Sequence, residues 1–207
     1  MNISSRTVTL MMVTAIAVSV TGVYALTSTS VPTQDLKADG ARLLGHVELT
    51  VHDADGNIKA YRQTDNLIVN QGLSEAVDKL FATSITGGGA TFTFVGVGTG
   101  TTSAAAAQTN LIQQISNKRT GTVTGTGAGT GASSNASIVA FWAAGKLANT
   151  TTTGGTTNAI TEASLFDTLG NNTGLMFARQ TFSAINVGTS DSLTVTWTIT
   201  FADSDTT

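Results

Sequence analysis

The chain has 207 residues, only 11% of them charged, and a formal net charge of −3. This argues against a nucleic-acid-binding protein, because phosphate binding needs a clustered surplus of Lys and Arg, and the ten basic residues here are scattered. Their longest run, Lys118-Arg119, is predicted to lie in a solvated turn. The sequence has no cysteine, which excludes disulfides and thiolate metal sites.

Threonine and glycine dominate the composition: the sequence contains 39 Thr, 22 Gly and a single Pro. Thr is β-branched and suits a half-exposed pleated surface, whereas Gly supplies the turns between strands. Apolar residues make up 41% of the chain, which is enough to form a core. The composition therefore predicts an ordered, strand-rich body with a hydroxylated outer face.

The N-terminal end carries an apolar run of 16 residues, 8–23, with Arg6 as the only charged residue before it. This pattern is typical of a secretory signal peptide, and Ala25 is the candidate cleavage position. An uncleaved membrane anchor is the alternative, because the run extended to Leu26 is just long enough to span a bilayer. Either interpretation predicts a secreted, cell-surface or virion protein that contacts a membrane only through this leader.

The chain is thus predicted to divide into three segments: a signal peptide or anchor at 1–25, a linker at 26–45 and a folded body at 46–207. The linker is extended in character and shows no helix cap. We hypothesise that it pairs, as a donated strand, with the sheet edge of a neighbouring copy. The absence of cysteine also favours a protein that gains robustness through homo-oligomerisation or polymerisation.

The body begins with a hairpin and a helix. Residues 46–52 alternate polar and apolar side chains, 53–57 form an Asp/Gly turn, and 58–62 return as the second strand. Residues 71–82 carry apolar side chains at helical spacing, with Asn70 as the N-cap. The apolar stripe of this helix is predicted to lie across a sheet.

Further strands are predicted at residues 92–97, 137–144, 160–166, 175–185 and 193–201. The Gly/Thr-rich stretch 120–131 predicts an exposed strand and loop, and 104–115 is compatible with a short helix or a coil. About eight strands and one helix predict a mainly β chain, an antiparallel β-sandwich with one packed α-helix and an N-terminal hydrophobic leader helix. The predicted core comprises Val47, Leu49, Val51, Leu73, Val77, Leu80, Phe81, Phe94, Phe141, Leu165, Phe177, Leu193, Val195, Trp197, Ile199 and Phe201.

Groups suited to catalysis or metal binding are scarce. Residues 79–161 contain no acid, so paired catalytic carboxylates would have to come from the two ends of the chain. His46 and His52 share one face of a strand, but at ~3.3 Å per residue they lie roughly 20 Å apart, and they are predicted to be exposed edge histidines. The turn at 53–57 departs from a calcium loop, because Gly56 is at the fourth position instead of the sixth and Thr64 stands at the twelfth, where Glu is needed. We expect no catalytic residue, no metal site and no cofactor.

Two other motifs have structural interpretations. The Gly-rich runs 96–100 and 121–131 lack a P-loop Lys and a following helix, so the sequence predicts tight turns and no phosphate-binding loop. Asn135, Asn149 and Asn171 each begin an Asn-X-Ser/Thr sequon in a loop-like context, which makes them candidates for N-glycosylation.

Five motifs stand in a defined order between residues 65 and 201: NLIVNQG (66–72), FVGVGTGTT (94–102), TEASLFD (161–167), GLMFAR (174–179) and DSLTVTWTITF (191–201). Together they resemble a β-sandwich domain found in tail, fibre and other minor structural proteins of phages and head-tailed viruses. The resemblance implies a structural or host-attachment role, oligomerisation and no catalytic residues. The leader departs from this pattern, because phage tail proteins assemble in the cytoplasm.

We therefore expect a non-enzymatic extracellular structural protein, a subunit of a pilus-like surface filament or of a virion appendage, assembled by β-strand contacts. The alternative is an adhesin or receptor-binding module that recognises surface glycans. A secreted hydrolase is the least favoured class, because the chain lacks an evident set of acid, base and nucleophile. The leader favours a cell-surface protein or a virus that acquires its proteins at a membrane, and both origins stay open.

Overall fold

A computed structural model describes residues 41–81, 90–126, 133–147, 157–171 and 173–203. The predicted leader with Ala25, most of the linker and Asn149 lie outside these ranges. The described elements, in chain order, are β1 (Ala41–His52), β2 (Ile58–Asp65), β3 (Leu67–Ile68), α1 (Asn70–Phe81), β4 (Phe94–Gly98), β5 (Arg119–Thr120), β6 (Thr122–Thr126), β7 (Ser133–Trp142), β8 (Thr157–Phe166), β9 (Met176–Gly188) and β10 (Ser192–Asp203).

The strands form two sheets of five strands each. Sheet A has the order β2-β1-β10-β7-β6, and sheet B has the order β3-β9-β8-β4-β5. Every described pairing is antiparallel. Buried side chains from both sheets form one hydrophobic cluster, an arrangement consistent with a β-sandwich. The mainly β, antiparallel prediction is confirmed, with ten strands in the described ranges where about eight were expected.

Strand β1 begins at Ala41, five residues before the predicted start of the body at 46. Residues 41–45 pair with β10, from Ala41 opposite Asp203 to Gly45 opposite Ile199. A neighbouring copy therefore cannot receive this part of the linker without first opening sheet A. Any donated strand is confined to residues 26–40.

Strands β1 and β10 supply much of the core, as the alternation of their side chains predicted. Successive side chains of a strand point to opposite faces, so every second residue reaches the interior. Burial of each such aliphatic side chain stabilises the fold by about 1.5–3 kcal/mol. The predicted core residues that are buried are Val47, Leu49, Val51, Leu165, Phe177, Leu193, Val195, Trp197 and Ile199.

Strand β7 shows that the core assignment of Phe141 was wrong. Phe141 is 56% exposed, whereas the adjacent Trp142 is fully buried. In the register with β10, Trp142 lies opposite the buried Leu193 and Phe141 lies opposite Thr194. Side chains that face each other across two strands share one side of the sheet, so Phe141 joins the outer, Thr-rich side.

Helix α1 has nearly the predicted bounds, but its apolar stripe does not lie on a sheet. Leu73, Val77, Leu80 and Phe81 are 45%, 56%, 62% and 78% exposed. Their assignment to the core was wrong.

The helix instead contacts β9 through a different face, where Gly72 and Glu75 are buried. A side chain at Gly72 would overlap the backbone of Phe177, so only glycine permits this close approach. The contact is reinforced by the Met176 N–H, which donates to Oε1 of Gln71 at 2.9 Å. The orientation of α1 is therefore set by its close backbone contact with β9, and the apolar stripe of the helix does not determine it.

Two other predicted core residues are only partly covered. Phe201 is 44% exposed although it continues the inward alternation of β10, because it lies near the end of the strand beside a groove described below. Phe94 is half-buried and packs against a smaller cluster that contains Phe166 and Met176.

Single residues carry the chain between the two sheets at two corners. Asn66 separates β2 of sheet A from β3 of sheet B, and its N–H donates to the Gly45 carbonyl at 2.9 Å. Gly121 separates β5 of sheet B from β6 of sheet A, and its N–H donates to the Thr93 carbonyl at 2.7 Å. A Cβ at Gly121 would overlap Ile138, so this corner requires glycine.

Candidate functional site

A buried ion pair lies in sheet B, between Glu162 on β8 and Arg179 on β9. Both side chains are 0% exposed, and Oε2 of Glu162 accepts hydrogen bonds from Nη2 and Nε of Arg179 at 2.7 and 2.9 Å. Burial of two charges is costly unless their remaining hydrogen-bonding positions are also satisfied. The rest of this site shows how they are satisfied.

The partners of the ion pair come from the long connection between β4 and β5, residues 99–118, here called the 99–118 loop. Backbone N–H groups of Gly100, Ile112 and Gln113 donate to the Glu162 carboxylate at 3.1, 3.1 and 2.7 Å. Arg179 in turn donates to Oε1 of Gln108 at 2.8 Å and to the Thr102 carbonyl at 2.9 Å. The pair therefore holds the loop against sheet B at its start, at Gln108 and at residues 112–113.

Glycines in β4 make room for this packing. Gly98 pairs with Glu162 across the strands, and a Cβ at Gly98 or Gly100 would overlap the Glu162 carboxylate. A Cβ at Gly96 would press on Leu111 at 2.9 Å. The prediction of a tight turn over residues 96–100 was wrong, because most of this run belongs to β4 and its glycines serve close approach.

The prediction for the pair Lys118-Arg119 was also wrong, because Lys118 is buried and Arg119 begins β5. The Lys118 Nζ donates to the Thr173 carbonyl at 2.6 Å and lies 3.5 Å from the centroid of the Phe166 ring. Burial lowers the pKa of the Lys118 ammonium to about 8, an effect that the Asp167 carboxylate partly offsets.

Sequence reasoning did not identify Glu162, Arg179 or Lys118 as buried. The pattern around two of them was informative, since Glu162 and Arg179 interrupt the apolar runs of predicted strands β8 and β9. A charged residue inside such a run needs a partner of opposite charge. The sequence shows both charges but not the register that brings them together.

The two histidines do not form a site. His46 Nδ1 lies 3.0 Å from Oδ1 of Asp65 on the adjacent strand β2, and His52 is half-buried. The prediction of edge histidines was wrong in one respect, because β1 lies inside sheet A and β2 is its edge.

Residues 53–57 form the predicted hairpin turn. The Asp53 carboxylate accepts hydrogen bonds from the backbone N–H groups of Asn57 and Asp55, at 2.9 and 3.0 Å, and Gly56 has a φ of 84°. The bond from Asn57 lowers the pKa of the Asp53 carboxyl. Within the described ranges, no three His, Asp or Glu side chains lie close enough together to hold a metal ion.

The sequons differ in their surroundings. Asn135 is exposed but lies within β7, opposite Thr200, so its predicted loop context was wrong. Asn171 lies in the turn between β8 and β9, and its Oδ1 accepts a hydrogen bond from Gln114 at 2.6 Å.

The two outer edges of sheet A differ in charge. Strand β2 carries Lys59, Arg62 and Asp65, and the Gln180 side chain of β9 donates to its Asp65 carbonyl at 2.5 Å. Strand β6, with the sequence TVTGT, carries no charged side chain. Charges on an edge strand oppose pairing with another chain, so β6 is the less protected edge of sheet A among the described residues.

An apolar groove of about 230 Å³ lies next to β6, between α1 and the two sheets. Val123 and Gly125 of β6 lie opposite Ile138 and Ala136, which line the groove. Val123 is 47% exposed, and no atom of the described residues lies within 4 Å of a Cβ built on Gly125. The groove is completed by Ala76, Lys79, Leu80, Phe92, Leu165, Phe177, Ile199 and Phe201.

Comparison with known proteins finds no matching family model, no similar curated protein and no similar solved structure. The resemblance to viral β-sandwich domains therefore stays an expectation. Among the residues that the structure describes, no helix has the length and apolar character needed to cross a membrane.

We predict that Glu162→Gln destabilises the protein by about 3–5 kcal/mol, because it leaves the Arg179 charge buried without a counter-charge. The double variant Glu162→Gln/Arg179→Met should recover part of this loss. Urea unfolding of the full chain measures both free energies. The matched control Asp55→Asn, in an exposed turn, should change the free energy by less than about 0.5 kcal/mol. Equal effects of Glu162→Gln and Asp55→Asn would contradict the role of the pair.

We predict that the free energy of unfolding rises with pH above about 8, relative to the variant Lys118→Met. The pKa of Lys118 is about 8 in the folded protein and 10.5 ordinarily, so between these values the unfolded chain binds more protons and proton loss favours folding. The wild-type-minus-variant difference should rise by at most about 1.4 kcal/mol per pH unit in this window. Urea unfolding at a series of pH values measures it, and a constant difference would refute the prediction.

Proposed function

We propose that the protein is a non-enzymatic, extracellular structural subunit that polymerises by strand addition, as part of a surface filament or a virion appendage. The observation that carries this proposal is the uncharged edge of β6 beside an apolar groove. The leader pattern supports an extracellular location.

Strand addition at β6 rests on the chemistry of its edge. Sheet A ends at β6 in the described part of the chain, so alternate backbone N–H and C=O groups of Thr122–Thr126 point away from β7. Such groups hydrogen-bond readily to an extended segment from another chain. The opposite edge, β2, disfavours the same event through Lys59, Arg62 and Asp65.

The groove supplies the hydrophobic component of the contact. A strand added beyond β6 would point every second side chain to the core side, over Val123 and Gly125. There its apolar side chains would cover the exposed parts of Val123, Leu80 and Phe201, each of which is more than 40% exposed. Burial of this surface stabilises an assembly by about 25 cal/mol per Å².

The proposed occupant is residues 26–40 of a neighbouring copy. These residues immediately precede Ala41, which pairs with Asp203 two positions from Phe201 at the groove. Fifteen residues span about 50 Å when extended, which exceeds the roughly 40 Å diameter of a body of this size. The segment is therefore long enough to reach the β6 edge of the next subunit.

The sequence of this segment suits an edge position. Residues 26–34 are rich in Ser and Thr, carry no charge and include Leu26 and Val31, whereas the charged side chains of the segment lie in 35–39, next to β1. The single proline, Pro32, has no N–H to donate, which a strand tolerates where that position faces away from its partner.

We predict that Val123→Lys weakens polymer formation by about 100-fold, because the ammonium would have to be buried under the added strand. The matched control is Ile58→Lys, which places the same group at an exposed aliphatic position of the β2 edge. It should leave assembly unchanged. Sedimentation and electron microscopy of the full-length variants measure the outcome. Undiminished polymers from Val123→Lys, or equal losses from both variants, would refute strand addition at β6.

A further inference from the structure

A second surface feature is a polar cleft of about 470 Å³, whose lining residues differ from those of the groove beside β6. Three connections build it: the end of the 99–118 loop with the start of β5, the turn after β7, and the turn between β8 and β9. Its volume falls within the ~300–1,000 Å³ typical of small-molecule sites. Its polar lining residues are Gln114, Ser116, Asn117, Arg119, Lys146 and Asn171.

The cleft combines positive charge with neutral hydrogen-bonding groups. Arg119 and Lys146 are cations, whereas none of the described residues that line the cleft is acidic. This concentration is unusual in a chain with only ten Lys and Arg and a net charge of −3. A single anionic group would therefore be attracted here, but two cations are too few for a polyphosphate backbone.

Two buried polar atoms of the cleft residues have no hydrogen-bond partner among the described residues: Nε of Arg119 and Oε1 of Gln114. The first is a donor and the second an acceptor. Neither atom is open to solvent, so a ligand reaches them only after the side chains that cover them move. Buried polar groups of this kind are costly unless a partner reaches them.

Contacts of Gln114 preorganise the cleft. Nε2 of Gln114 donates to the Ser116 carbonyl and to Oδ1 of Asn171, both at 2.6 Å. Gln114 also forms a β-bridge with Gly98, and the N–H of the preceding Gln113 is held by Glu162. A site held in place before binding loses less entropy when its ligand arrives.

We propose that this cleft binds an acidic saccharide, with Lys146 and Arg119 facing its carboxylate-bearing ring. The amide groups of Asn117 and Asn171 offer further donors and acceptors to neighbouring hydroxyls. Sugars present several hydroxyls together with one charge per acidic ring, which matches a cleft with few cations and many neutral polar groups. The site uses none of the residues proposed for polymerisation.

The test is isothermal titration calorimetry of the full chain with a glucuronate tetrasaccharide, a glucose tetrasaccharide and sodium sulfate. We expect the glucuronate compound to bind at least about tenfold more tightly than the glucose compound, since a charge-assisted contact is lost in the latter. Lys146→Gln should weaken glucuronate binding by about tenfold. Lys146 is exposed, so this substitution leaves the fold intact.

The matched control is Arg62→Gln, which removes the same charge from the exposed edge strand β2 and should leave binding unchanged. Absent binding, equal affinity for the neutral saccharide, or equal losses from Lys146→Gln and Arg62→Gln would overturn the proposal. Displacement of glucuronate by an equal concentration of sulfate would show a bare anion site and overturn the saccharide assignment. These results are independent of Val123→Lys, so failure of either proposal can be recognised separately.

Discussion

The buried pair of Glu162 and Arg179 is the interaction on which the architecture of sheet B and its long connection depends. Two desolvated charges need hydrogen bonds beyond each other, and the backbone of the 99–118 loop provides them. The loop lacks regular secondary structure, so hydrogen bonds to the ion pair take the place of the backbone hydrogen bonds that a strand would form with its neighbours. The glycines of β4 make room for the ion pair, because any side chain at Gly98 would occupy the space of the Glu162 carboxylate.

The distribution of charge distinguishes two surfaces of the body, the uncharged edge at β6 and the positively charged cleft. In the described part of sheet A, the edge strand β2 carries ionic side chains and the edge strand β6 carries none, so β6 is the better suited of the two to pairing with a second chain. The exposed stripe of α1 and the groove beside β6 extend this edge with apolar surface. The polar cleft lies where the anchored loop meets β5. A polymer formed through β6 would thus repeat the cleft along its length, and repetition raises the avidity of weak saccharide contacts.

Much of the fold follows from local patterns in the sequence, and the failures share a cause. Alternation located β1, β8, β9 and β10, and it also gave the inward faces of β1 and β10. It could not choose between Phe141 and Trp142, since adjacent aromatics fit either face and only the register with β10 decides. The apolar periodicity located the helix, but the prediction that its apolar stripe packs on a sheet was wrong. A backbone contact at Gly72 fixes which face of α1 meets β9. Buried charges escaped prediction for the same reason: their partners lie far away in sequence.

The central claim, that residues 26–40 of one copy lie along β6 of the next, has a direct test because the chain contains no cysteine. Three variants each carry a single cysteine in the segment 26–40, in place of Thr29, Val31 or Thr33. A fourth variant carries a single cysteine in place of Thr124 on β6. When one of the three is mixed with the fourth and oxidised, a disulfide can form only between copies, and only if the Cα atoms approach within about 7 Å. We expect cross-linked heterodimers with Thr124→Cys and none with the control Tyr61→Cys on β2. Absent cross-links at Thr124, or equal yields at Tyr61, would contradict the claim.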